Sequence, residues 1–209
     1  MHTALVYVRS ILFLMATLLA LPAAASQNTL LILGDSLSAA YGVPSETAWV
    51  QLLRDRLDNN GLADWEVVNA SISGETTDGG ARRLPELLEE NDPEVVIIEL
   101  GGNDGLRGFP PNVIESNLAS MIKQIQASGA RAVLVGMQIP PNYGERYTQM
   151  FSDIYPKLSD RFDTDLVPFF LDGIYNQDGL MQEDGIHPTE EAQHMLLENV
   201  WPVIRPILK

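Results

Sequence analysis

Five short apolar stretches recur along the chain, at residues 29–33 (TLLIL), 66–70 (EVVNA), 95–100 (VVIIEL), 132–137 (AVLVGM) and 165–167 (DLV). The third and fourth run on Val, Ile and Leu without alternation, the pattern of strands buried on both faces. Between the stretches, apolar residues return at helical spacing. Trp49, Leu52, Leu53 and Leu57 mark one face, with Asn60-Gly61 as a left-handed stop. Ile114, Leu118, Met121, Ile122 and Ile125 mark another, ended by Gly129. Residues 79–90 also space as a helix, with Pro85 as the discordant position. A last helix is expected after Pro188, with Thr189 as N-cap and Glu190 and Glu191 at its positive end. Pro202 and Pro206 predict a kink or an early end in it.

Strands alternating with helices imply a parallel sheet joined by right-handed crossovers and covered on both faces. No repeat, low-complexity tract or linker-like shift interrupts the pattern, so one domain is expected. Sheets of this kind place ligands at the carboxyl ends of their strands. Polar loops rich in chemistry follow the apolar stretches as that rule demands: Gly34-Asp35-Ser36-Leu37-Ser38, then residues 69–76 (NASISGET), then Gly101-Gly102-Asn103-Asp104. A fourth, Asp184-Gly185-Ile186-His187-Pro188, precedes the last helix. Each alone is ordinary, because Gly, Ser, Asn and Asp also build turns and helix caps.

The N-terminus changes what belongs to the fold. Arg9, an uncharged apolar run over residues 11–21 and Pro22-Ala23-Ala24-Ala25-Ser26 form the three parts of a secretory signal peptide. The run is too short to span a bilayer, which takes about 20 apolar residues. Residues 1–25 are therefore expected to be a cleaved leader and residues 26–209 a single exported domain, periplasmic or secreted and without a membrane anchor. The chain carries 13 basic and 28 acidic residues, a net charge of −15. That balance speaks against a nucleic-acid partner, which needs clustered Lys and Arg. There is no cysteine, which removes thiol nucleophiles, disulfides, zinc–thiolate and iron–sulfur sites, and a lipidated N-terminal cysteine.

With the leader set aside, His187 and His194 are the histidines available as a neutral-pH base. His194 falls opposite the apolar face formed by Ala192, Met195, Leu196, Val200 and Val203, and reads as solvated. His187 sits in a loop with Asp184 three residues upstream, close enough to hold the imidazole tautomer and stabilise the imidazolium. Ser36, in the turn after a buried strand, is the matching nucleophile; the plainer reading is a helix cap. Gly74 can offer an unobstructed backbone N–H and Asn103 a side-chain amide to an oxyanion. Asp35 reads as structural, accepting hydrogen bonds that shape the nucleophile turn. Leu106, Phe109, Ile139 and Tyr143, from two loops rich in Gly and Pro, are candidates to line an acyl groove; the alternative is loop packing.

These four blocks, in this order, resemble the SGNH hydrolases, also called the GDSL esterase family. The likeness rests on residues 32–41 (ILGDSLSAAY), 70–76 (ASISGET), 100–109 (LGGNDGLRGF) and 141–144 (PNYG), together with Asp184 and His187. The family's four catalytic letters fall on Ser36, Gly74, Asn103 and His187, with Asp184 completing a triad. The resemblance implies a three-layer α/β/α flavodoxin-like sandwich whose five parallel strands run in the order 2-1-3-4-5. It also implies a serine esterase that takes small acyl esters or thioesters (acyl thioesters, lysophospholipids, aryl esters) through an acyl-enzyme. No cofactor and no metal are implied, and a monomer is expected. The Ser36 backbone N–H would join Gly74 and Asn103 in the oxyanion hole. The serine is not in a Gly-x-Ser-x-Gly elbow, which sets the chain apart from α/β-hydrolases by motif.

Three other readings compete. A carbohydrate deacetylase would use the same serine machinery with an acetyl preference. A flavodoxin-like anion or nucleotide module would use residues 34–38 as a cradle, but it lacks a P-loop lysine and leaves Asp184 and His187 unexplained. A metal-dependent hydrolase would draw on Asp35, Asp104, Asp184 and His187 and would lose activity in chelator.

Overall fold

The computed structural model describes residues 28–208. The leader expected over residues 1–25 lies outside them. Five strands, β1 (Asn28–Gly34), β2 (Trp65–Asn69), β3 (Val95–Glu99), β4 (Arg131–Val135) and β5 (Asp165–Val167), form one parallel sheet in the order β2-β1-β3-β4-β5. Among the described residues seven α-helices accompany them: α1 (Trp49–Asn59), α2 (Thr77–Asn91), α3 (Gly102–Leu106), α4 (Pro111–Ser128), α5 (Glu145–Ser152), α6 (Ile154–Phe162) and α7 (Gln193–Ile204).

The hydropathy of each strand follows from its place in the sheet. β3 is buried at every position and β1 at all but its first, because helices cover both faces of the centre. β2, at one edge, alternates between buried and open positions, and β5, at the other, has three residues. α1 and α7 pack together on one face; α2, α4 and α6 cover the other. The core is continuous through both layers and includes Leu31, Ile32, Ile97, Ile98, Leu134, Trp49, Phe151 and Phe170.

Most sequence expectations hold, and the departures have local causes. Gly61 and Gly129 take the left-handed conformations that stop α1 and α4. α2 runs through Pro85, and Thr76 caps it by accepting the Gly79 N–H at 3.2 Å. The expected Thr189 cap does not form. Its hydroxyl instead donates to the Gly179 carbonyl at 2.9 Å, and the last helix opens with a 3₁₀ turn over Glu190–Ala192. α7 continues through Pro202 to Ile204, past the first proline that predicted its end. β4 ends at Val135, and the next residue, Gly136, approaches the Pro168 carbonyl so closely that a Cβ would lie 2.3 Å from it. Among the described residues no helix is long and apolar enough to cross a membrane.

The strand order reverses between β1 and β3, and the loops leaving their carboxyl ends diverge there into an open cleft. Parallel register places Gly34, at the end of β1, opposite Glu99, at the end of β3. The turn carrying Ser36 and the loop carrying Asn103 therefore leave the sheet side by side.

Candidate active site

The loop before α7 brings its acid and base together through its own backbone. Met181 and Pro188 form an antiparallel bridge, and Gln182 N–H donates to the His187 carbonyl at 2.7 Å. Inside this narrow loop the Asp184 Oδ1 accepts the backbone N–H groups of Ile186 at 2.9 Å and His187 at 3.0 Å. Its Oδ2 meets the His187 Nδ1 at 2.6 Å. A carboxylate only accepts, so Nδ1 carries the hydrogen and Nε2 presents its lone pair. That lone pair faces the Ser36 Oγ at 2.9 Å. Partial burial works to raise the Asp184 carboxyl. The His187 backbone N–H, its imidazole and the Ile186 N–H outweigh that and bring it down to about 2. The carboxylate is thus ionised at neutral pH.

Ser36 is 8% exposed, at the floor of the cleft. No hydrogen bond occupies its backbone N–H or that of Gly74 among the described residues. The Gly74 carbonyl accepts from the Arg107 guanidinium at 3.1 Å, which ties the β2 loop to the end of α3. Asn103 reaches the cleft from the first turn of α3 and donates one Nδ2 hydrogen to Asp35 Oδ2 at 2.9 Å. An amide nitrogen has two hydrogens, so one remains for a ligand. Asp35 also accepts the Leu37 N–H at 3.0 Å, closing the turn around Ser36 as its sequence context suggests. Gly101 allows this crossing: its φ is +113°, and a Cβ there would lie 2.3 Å from the Tyr155 hydroxyl.

The cleft is walled by apolar groups. Leu106 and Ile139 line it, as expected from the loop sequences, together with Met137, Leu171, Tyr175 and Met181. Phe109 and Tyr143 do not line it. Phe109 packs against the core, and its carbonyl accepts from the Tyr147 hydroxyl at 2.7 Å. Tyr143 spends its hydroxyl on the Leu106 carbonyl at 2.9 Å, bracing the Leu106 loop from outside. Both aromatics are loop packing, the alternative that composition could not separate from a groove. Sequence reading also missed Tyr41, whose ring lies 4.4 Å from the His187 ring. A lone exposed aromatic five residues beyond Ser36 carries no signal for that stacking. His194 is exposed, as expected.

The rival metal set does not assemble. Asp104 is turned away, accepting the Thr77 N–H at 2.9 Å and the Thr77 hydroxyl at 2.6 Å. Among the described residues no group of three or more His, Asp or Glu side chains is arranged to hold an ion.

A hydroxyl, an imidazole and a carboxylate in relay at the carboxyl edge of a five-stranded parallel sheet define a serine hydrolase of three-layer α/β/α architecture. Residues 32–195 match the GDSL-like Lipase/Acylhydrolase family. The chain belongs to that family and hydrolyses ester bonds. It is similar to Esterase TesA of Pseudomonas aeruginosa, 53% identical over 184 residues that cover 88% of this chain and 91% of the relative. Thioesterase 1/protease 1/lysophospholipase L1 of Escherichia coli K12 is 45% identical over 196 residues, covering 94% and 92%. Among solved structures, the psychrotrophic esterase EstA from Pseudoalteromonas sp., inhibited by monoethylphosphonate, superposes with a TM-score of 0.82. It is 45% identical, over 87% of this chain and 98% of that one.

Proposed function

We propose that the chain cleaves carboxylic esters and thioesters by two-step acyl transfer, with Ser36 as nucleophile, His187 as base and Asp184 as the group that holds the imidazole. The observation that carries this reading is the unbroken relay from Asp184 Oδ2 through both ring nitrogens to Ser36 Oγ, with contacts of 2.6 and 2.9 Å. As the hydroxyl attacks the acyl carbonyl, Nε2 takes its proton and the Asp184 carboxylate stabilises the imidazolium. The backbone N–H groups of Ser36 and Gly74 and the second Asn103 amide hydrogen receive the oxyanion. His187 then protonates the leaving alcohol or thiol. Water, deprotonated by the same imidazole, releases the acid.

The apolar wall of Leu106, Ile139, Met137 and Leu171 supports an acyl chain longer than acetyl, which favours an acyl esterase over a carbohydrate deacetylase. Aryl esters, acyl thioesters and lysophospholipids share that demand. The working form in this proposal is residues 26–209 as a monomer, released outside the cytoplasm once residues 1–25 are removed. A panel of p-nitrophenyl esters, acyl thioesters and lysophospholipids of graded chain length tests the substrate class, with Ser36→Ala as control. The reading expects activity on medium chains to exceed that on acetyl and to vanish in the variant. Parent-level turnover by Ser36→Ala, or strict acetyl preference, contradicts it.

A further inference from the structure

The nucleophile turn rests on a charged residue for which the triad and oxyanion hole have no use. Glu99 ends an otherwise apolar strand, VVIIE, and is fully buried. Its Oε2 accepts the Asp35 backbone N–H at 3.2 Å and the buried Ser38 hydroxyl at 2.8 Å. Its Oε1 is shut off from solvent and has no partner. Gly34 shapes the space around it, since a Cβ there would lie 2.8 Å from Oε2. The Asp35 carboxyl is buried as well, 2% exposed, and its own backbone N–H is the one that Glu99 Oε2 accepts, so the two carboxyl groups are neighbours in the same dry space.

We propose that Glu99 works as a protonated carboxylic acid that donates a hydrogen bond to Asp35 and so aims the Asn103 amide at the oxyanion, making it a positioning residue for catalysis. The proposal rests on the reading of Asn103 as an oxyanion donor.

Two neighbouring buried carboxyl groups cannot both ionise cheaply, so the pair holds a proton. Several contacts decide which partner holds it. Asp35 is the anion because the Leu37 N–H and the Asn103 amide point at its two oxygens and His187 stands nearby. Glu99 is more deeply buried, and the ionisable group acting on it most strongly is Asp35 itself, which raises it further after burial. Tyr155 on α6 feels both carboxyls and brings no positive charge. A neutral Glu99 converts an orphaned acceptor into a donor, which removes the cost of an unpaired buried oxygen. The result is one chain of hydrogen bonds from the sheet to the reacting centre: Ser38 to Glu99, Glu99 to Asp35, and Asn103 to Asp35 from the other side. Asn103 is then aimed by a fixed anion and keeps its second hydrogen for the oxyanion.

Glu99→Gln retains both a donor and an acceptor in the same shape, whereas Glu99→Leu retains neither. Kinetics of the full chain on a p-nitrophenyl ester should show Glu99→Gln keeping at least about a third of kcat. Glu99→Leu should lose about 10- to 100-fold in kcat with KM little changed, part of the 10²–10³ that a whole oxyanion donor supplies. In an Asn103→Ala background the Glu99→Leu loss should largely disappear, because the two act through one group. An infrared difference spectrum between the parent and Glu99→Gln at pH 7.5 should contain a protonated carboxyl stretch that shifts in D₂O. This last readout does not depend on activity, so it separates the proton on Glu99 from the role of Asn103. A Glu99→Gln protein that is inactive or unfolded, a spectrum without that band, or a Glu99→Leu loss undiminished in the Asn103→Ala background overturns the proposal. Full kcat in Asn103→Ala alone contradicts the oxyanion assignment instead and leaves the infrared result standing on its own.

Discussion

Replacing Asp35 with asparagine separates the cost of a buried charge from the bonds it makes. The carboxyl is 2% exposed. It is pushed up from 3.8 to about 6, chiefly by burial, with the Leu37 N–H, the Asn103 amide and His187 pulling the other way. Over the window from about pH 4 to pH 6 the folded protein therefore holds a proton that the unfolded chain has released. Where the native state binds more protons, stability falls as pH rises, so this group's contribution declines through that window and is flat above it. A shift of roughly two units at about 1.4 kcal/mol each amounts to about 3 kcal/mol. Asparagine has no charge to bury, but it surrenders one of two accepting oxygens, a loss of about 1 kcal/mol at every pH. The variant should thus be slightly less stable than the parent at pH 4 and gain about 3 kcal/mol relative to it by pH 7.5. Urea unfolding of both proteins across pH 4 to 8, with the slope checked for constancy, measures the difference. Turnover should fall by about tenfold even as stability rises, because Asn103 loses its charged acceptor. Parallel stability curves for the two proteins would refute a buried, ionised Asp35.

Asp184→Asn should leave the loop folded but lower kcat by about 10³–10⁴, because the amide no longer demands a hydrogen on Nδ1; an initial-rate assay on an aryl ester decides it. The parent carboxyl, brought down to about 2, contributes stability that is present above its unfolded value near 3.8 and lost as pH falls toward 2. Acid unfolding of this variant should therefore lack that part of the parent's low-pH transition. Gly34→Ala would put a Cβ 2.8 Å from both Glu99 Oε2 and Ser71 Oγ. It should lose about 1–3 kcal/mol, read as a lower Tm, together with activity. Leu106→Ala and Ile139→Ala should move the preferred acyl length, since both side chains line the cleft; an unchanged profile in a chain-length series would discredit the groove.

What could be read from the sequence follows how local each cause is. The unbroken Val-Ile-Leu runs of β3 and β4 announced buried parallel strands, because a strand covered on both faces has no polar side to show. That Ser36 and Asn103 would stand at one edge of the sheet was legible because the sheet rule asks for chemistry directly after the apolar runs, whereas His187 was singled out by the scarcity of histidine and by Asp184 beside it. Thr189 failed as a cap because its hydroxyl finds the Gly179 carbonyl ten residues away, a contact set by the loop's path and not by local propensity. Phe109 and Tyr143 carry the same composition signal as Leu106 and Ile139, and only the tertiary path of the two loops separates wall from buttress. Glu99 did leave a signal, a lone acid closing an apolar strand. Its meaning depends on the pairing of Gly34 with Glu99 across the sheet, which no local pattern contains.

The central claim is that Ser36 becomes acylated with His187 as its base. Intact mass spectrometry after brief exposure to a p-nitrophenyl phosphonate, followed by peptide mapping, tests it most directly. The account predicts one adduct per chain, on Ser36, absent in Ser36→Ala and greatly slowed in His187→Ala. An adduct on another residue, or equal labelling of the Ser36→Ala protein, would contradict it.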